Sequence, residues 1–216
     1  MINVTNIQVY NFENAIIGMR NPLNSWNKID STFNPDGSVI LGINDLTLMQ
    51  KLIHAGSPHD KFMRQIFCSM QIEAPLFWWK EMDTYKVATT ANSTSTMHKL
   101  HSKPIELSDF GFDDIEVDDL DVKAIRKSRI EHLEYLRKRY LETKDQIPQD
   151  NPYWRMLIQD LPDSYLQKRM WTGDYATLRE FIKWRKYHKL IEWRTLCDII
   201  ENKFPYGKEL IAYELD

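Results

Sequence analysis

Glycine is scarce in this chain, with seven among 216 residues, and none of them falls in a phosphate-cradling pattern. Neither GxGxxG nor the P-loop spacing occurs, so any nucleotide must be held by another architecture. Cysteine is scarcer still. Cys68 and Cys197 each sit among apolar neighbours with no second cysteine nearby, which predicts two buried thiols rather than a disulfide. No apolar run approaches membrane-spanning length, and Met1-Ile2-Asn3-Val4 lacks the basic start and apolar stretch of a signal peptide. The expectation is a cytoplasmic protein with no membrane partner. A net charge of −3 gives no electrostatic case for nucleic acid either.

What is present is bulk to bury. Hydrophobic residues make up 43% and charged residues 27%, the balance of a soluble globular protein, and there are seven tryptophans. The length suits a single domain over 1–216 with a real core. Residues 4–10 alternate enough for an edge strand. Asn34-Pro35-Asp36-Gly37 is a turn leading into a short strand at 38–41. Asp45 is expected to cap a helix carrying Leu46, Leu48, Met49, Leu52 and Ile53 that stops near Gly56. A strand over 66–73 precedes Pro75, which fits the first turn of the next helix. Helices are predicted over 122–143, 177–189 and roughly 192–203, a short one after Pro152, and a strand over 166–172. Strands scattered among helices give an α+β fold.

Two segments stand apart. From Glu106 to Asp121 there are eight acidic side chains and no basic one, so 106–121 reads as a self-repelling, solvated and mobile excursion. It lacks the regular carboxylate spacing and central glycine of a calcium loop. The run Thr89-Thr90-Ala91-Asn92-Ser93-Thr94-Ser95-Thr96 follows an aromatic helix bearing Trp78 and Trp79. Its short hydroxyl and amide side chains compete with helical backbone bonds, so a loop able to hold a polar ligand is expected.

Leu178, Phe181, Ile182 and Arg185 fall at i, i+3, i+4 and i+7, which places Arg185 on the apolar face of its helix. Either it snorkels outward to a structural partner or it anchors a planar or anionic ligand. His98 and His101 lie three apart and can face one way on a helix, but no further ligands are near in sequence, so no metal site is expected. Tyr85 and Lys86 read equally well as surface residues at a helix end.

Together these segments resemble the flavin-dependent thymidylate synthases. His59-Asp60 through Leu100 resembles that family's histidine-bearing segment, its strand and the Ala-Pro-led helix (Ala74-Pro75) entering the signature loop. Leu161-Pro162 through Arg185 resembles the later Leu-Pro, strand and helix. The signature, Arg-His-Arg, seven residues, then Ser-x-Arg, is rewritten as Thr84-Tyr85-Lys86 and Thr94-Ser95-Thr96, like a divergent branch of phages and mobile elements. The resemblance implies a small mixed or antiparallel sheet packed with long helices, and a homotetramer with sites at subunit junctions. It also implies reductive one-carbon transfer to a pyrimidine deoxynucleotide such as dUMP, a methyltransferase reaction using FAD, NADPH and methylenetetrahydrofolate. Its residue by residue implication is that His59, Thr84, Tyr85, Lys86 and Asp174 bind the cofactor. Glu81, Asn92, Thr94, Ser95, Thr96 and Arg185 bind substrate, with Thr94 and Arg185 the catalytic pair. Glu81 stands for a family Gln, Asp174 for an Asn, and Ile158 for a phosphate-binding Arg. Thr96 and Ile158 cannot supply the charge-assisted bonds of arginine, and Lys86 loses its two-pronged contact. A non-catalytic nucleotide-binding or scaffold protein that keeps the fold is the alternative.

Overall fold

A computed structural model describes residues 1–112 and 119–215. In chain order the elements are β1 (Asn3–Tyr10), α1 (Phe12–Arg20), β2 (Thr32–Phe33), β3 (Val39–Ile40), α2 (Ile43–Ala55), β4 (Phe67–Pro75) and α3 (Leu76–Met82). They continue with β5 (Thr90–Ser93), α4 (Thr96–Lys99), α5 (Leu120–Thr143), α6 (Pro152–Gln159), β6 (Leu166–Asp174), α7 (Tyr175–Arg185) and α8 (Ile191–Lys203). A single π-turn, Gly207–Ile211, follows α8. One sheet has the order β1-β4-β6-β5, so β1 is an edge strand as its alternation predicts, and the expected turn joins the small antiparallel pair β2-β3. The α+β expectation holds.

By its internal contacts the chain falls into two units. The first comprises Met1–Asn3, Glu73–Asp83 and Asn92–Arg169. Its core gathers Leu100, Ile105, Phe110, Leu133, Leu136 and Leu157, with Ile158 and Tyr165 packed against them. Trp78 and Trp79 are buried edge to face, and the Trp79 indole donates to the Gln167 carbonyl at 2.9 Å. The second unit comprises Val4–Ile72, Thr84–Ala91 and Met170–Asp216. There Phe12 meets Tyr175 edge-on at 5.6 Å, and the Tyr175 hydroxyl donates to the Pro205 carbonyl at 2.7 Å. Cys68, Met70 and Ile72 on β4 are fully buried while the residues between them are half-buried, the period-two pattern of a strand.

Several boundaries differ from expectation for local reasons. Asp45 does not cap α2. It lies fully buried in the first turn, where its carboxylate accepts from Arg20 Nε at 2.7 Å, the Asp30 and Ser31 backbone N–H groups and the Ser31 hydroxyl. Burial pushes this carboxyl up, but the bonds from Ser31 and Arg20 more than offset it and hold it below the ordinary 3.8. Asp30 caps in its place, accepting from the Asn44 and Asp45 N–H groups. Gly42 permits this, because a β-carbon there would stand 2.1 Å from Asp30 Cγ. Pro75 ends β4 in extended conformation and is the N-cap residue of α3, one position before the first turn expected of it. The polar run is not wholly loop, since Thr90–Ser93 forms the exposed edge strand β5, a place where β-branched threonine fits. α7 begins two residues early because Asp174 accepts from the Thr177 N–H, and it ends at Arg185. The helix α1 has no counterpart among the sequence expectations. Of the acidic excursion, Glu106–Asp109 closes a capping box, Lys103 pairs with Asp109, Phe110 is buried, and Asp119 caps α5. Residues 113–118 lie outside the described residues.

Candidate functional site

The second unit holds a cavity of about 620 Å³, in the range of small-molecule sites. Three local structures build it. The turn at His59–Arg64 contributes Asp60, Met63 and Arg64, which share one face at i, i+3 and i+4. The segment Thr84–Ala88 forms a second wall, with Ala88 in the left-handed region at φ 56°. The third is α7, which presents Ala176, Arg179, Glu180 and Lys183, again at i, i+3, i+4 and i+7.

That last spacing explains the fate of Arg185. α7 has two faces, and Leu178, Phe181, Ile182 and Arg185 form the other one, the first three fully buried. Arg185 is half-buried and outside the cavity wall. Its Nε donates to the Tyr85 hydroxyl at 3.0 Å, and its guanidinium lies over the Trp193 ring at 5.0 Å and the Tyr85 ring at 5.7 Å. Tyr85 itself meets Phe181 edge-on at 4.7 Å. The inward arginine therefore sits in an aromatic nest of its own chain.

Among the described residues, the cavity wall carries four cations, Arg64, Lys86, Arg179 and Lys183, against three carboxylates, Asp60, Asp174 and Glu180. Asp174 is buried and committed to the Thr177 N–H at 2.8 Å. Arg179 Nη1 donates to the Ile211 and Tyr213 carbonyls, and burial lowers the pKa of its guanidinium. Lys86 and Lys183 are exposed at the mouth. The wall thus suits an anionic, hydroxyl-bearing ligand. Burial raises the Cys68 thiol, with the Asp174 charge adding to it, and pushes Cys197 up to about 12. Both thiols are buried and free, as their neighbours predict.

Of the sequence-predicted residues, Thr84, Tyr85, Lys86 and Asp174 line this cavity together. His59 is exposed and outside the wall, where its neighbour Asp60 stands instead. Apart from Arg185, the others belong to the first unit. Thr94 is exposed; its carbonyl accepts from Gln167 Nε2 at 2.8 Å and its hydroxyl accepts from the Lys168 N–H at 3.3 Å. The Ser95 hydroxyl caps α4 by accepting from the His98 N–H at 3.0 Å. Thr96 and Glu81 are half-exposed and Asn92 is exposed on β5. Ile158 packs on the apolar core of that unit. Sequence reasoning missed Asp60, Arg64, Arg179 and Lys183, although the helical spacing of the latter pair with Ala176 and Glu180 was available to find them. No group of three or more metal-ligating side chains occurs among the described residues, and no described helix is long and apolar enough to cross a membrane.

No protein-family model and no curated protein sequence matches the chain. Solved structures do match. One is thymidylate synthase X from Helicobacter pylori, solved with FAD and dUMP, at TM-score 0.69 and 15% identity over 99% of this chain and 98% of that one. A second structure, of the flavin-dependent thymidylate synthase from Helicobacter pylori complexed with FAD and dUMP, matches at TM-score 0.65 and 16% identity over 99% and 97%. The chain has the thymidylate synthase X fold, and the likeness runs through both units.

Proposed function

We propose that this chain is a divergent flavin-dependent thymidylate synthase-like enzyme that transfers a one-carbon group reductively to a pyrimidine deoxynucleotide such as dUMP. The observation that carries this reading is the place of Thr84-Tyr85-Lys86. The segment standing where the family signature stands lines a cavity of ligand size, in a fold matched end to end by proteins solved with FAD and dUMP. FAD fits the donor set of that wall, whose cations and hydroxyls suit a pyrophosphate and its polar flanks. When bound, the flavin supplies the reducing equivalents for one-carbon transfer, NADPH and methylenetetrahydrofolate being the proposed co-substrates.

In this reading Thr84, Lys86 and Arg64 hold the anionic part of the cofactor, and Asp174 fixes the N-terminus of α7 against it. Arg185 is a planar donor to the base, oriented in advance by Tyr85 and Trp193. Thr94 supplies the substrate-facing hydroxyl, with Glu81, Asn92, Ser95 and Thr96 around it. The chain works as a homotetramer whose sites draw on more than one copy. The non-catalytic reading is favoured by a different observation: Ile158 and Ser95, at family binding positions, are taken up by core packing and helix capping.

The deciding experiment is the absorbance and fluorescence spectrum of purified protein before and after denaturation, with added FAD as control. Released flavin, lost at least tenfold in Lys86→Ala, supports the enzyme reading and opens a turnover assay with dUMP. No flavin after incubation with excess FAD sinks it in favour of the scaffold.

A further inference from the structure

The second unit carries another cavity, of about 390 Å³, that the flavin reading does not use. One wall is a single face of α2, where Asn44, Thr47, Leu48 and Lys51 recur at i, i+3, i+4 and i+7. The facing wall comes from the turns at Asn21–Leu23 and Trp26–Lys28, which present Asn24, Asn27 and Lys28. Asn24 reaches its place through a left-handed backbone, φ 46°, a conformation asparagine tolerates. Arg20, only 3% exposed, also lines the cavity.

The charge there is of one sign. Among the described residues, Arg20, Lys28 and Lys51 line the cavity and no carboxylate does. The carboxylates nearby in the chain are turned to other work: Asp30 caps α2, and Asp45 collects the bonds of Ser31 and of Arg20 Nε. Arg20 is held by the same carboxylate: its Nη2 pairs with Asp45 Oδ1 at 2.5 Å, and its Nη1 donates to the Ser25 carbonyl at 3.4 Å. Lys28 and Lys51 are exposed at the cavity, and an ammonium is a point charge suited to a phosphate oxygen. Three carboxamides on the walls offer both donors and acceptors, which match hydroxyls or a polar ring rather than an acyl chain.

We propose that this cavity is a second binding site, for a phosphorylated, hydroxyl-rich small molecule, with Lys28 and Lys51 on the phosphate and Asn24, Asn27 and Asn44 on the polar remainder. The site is distinct from the flavin cavity, with which it shares no lining residue, so its truth does not depend on the flavin reading.

Titration calorimetry of the intact protein with ribose 5-phosphate, and with ribose as the phosphate-free control, tests it. Lys28 and Lys51 are exposed, so the double variant Lys28→Ala/Lys51→Ala is expected to fold. The expected result is binding of ribose 5-phosphate by the wild type, at least tenfold weaker binding by the double variant, no binding of ribose, and no change in Lys86→Ala. Absence of ribose 5-phosphate binding in the wild type overturns the proposal. So does binding that survives the double variant, or binding that Lys86→Ala abolishes, which moves the anion to the other cavity.

Discussion

Thr84–Lys86 and Thr94–Thr96 lie close in sequence, are both polar, and end differently. In Thr94–Thr96 the short hydroxyls close on their own surroundings: Thr94 on the Lys168 N–H, Ser95 on the N-terminus of α4. In Thr84–Lys86 the ring of Tyr85 joins an aromatic cluster, while Lys86 stays exposed on a cavity wall. A short hydroxyl side chain is readily taken up by a nearby backbone group, Ser95 by the N–H three residues on and Thr94 by a strand N–H, whereas Lys86 extends past its own backbone to the cavity. Hydroxyl content alone therefore does not mark a ligand site; long side chains held at a cavity rim do.

This contrast between committed and available side chains can be broken by substitution. The largest effect is expected at Asp45, the most committed charge in the second unit. Asp45→Ala strands buried Arg20 and should cost about 3–5 kcal/mol in chemical denaturation. A loss below 1 kcal/mol would show the pair to be dispensable. Tyr85→Ala comes next, at about 2–3 kcal/mol, because it empties a half-buried ring position between Phe181, Trp193 and Arg185. Ser95→Ala should cost about 0.5–1 kcal/mol as a lost cap on a four-residue helix. Lys86→Ala should leave the denaturation midpoint unchanged while weakening flavin binding; a stability loss like that of Tyr85→Ala would erase the distinction between the two neighbours.

The smallest effect is seen in acid. Asp45 is held below 3.8 in the folded chain, so its contribution is fully present above that value and is lost as pH falls below it through the folded value. Asp45→Asn should show a shallower loss of stability below about pH 4 than the wild type, and identical slopes would assign acid unfolding to other carboxylates.

Much of the fold was legible because its signals are local. The alternation of β1, the turn at Asn34–Gly37, the helix stop at Gly56 and the long helix α5 each follow from periodicity or a residue's backbone preference. α1 was not, since Asn11 at its N-terminus takes a left-handed backbone with no side-chain cap bond. The site was legible in part. Thr84, Tyr85, Lys86 and Asp174 line one cavity, yet Asp60 rather than His59 joins them there.

The sequence by itself determined the α+β class, the two buried thiols and the place of Arg185 on the apolar face of its helix, because hydrophobic period and neighbour composition act over a few residues. Only tertiary structure decided that Asp45 pairs with Arg20 instead of capping, and that Thr90–Ser93 becomes a strand. It also decided that Arg185 meets Tyr85 across one hundred residues of chain while Arg179 and Lys183 take the cavity. A buried charge takes whichever partner packing brings within hydrogen-bond reach, and that choice has no periodicity to read.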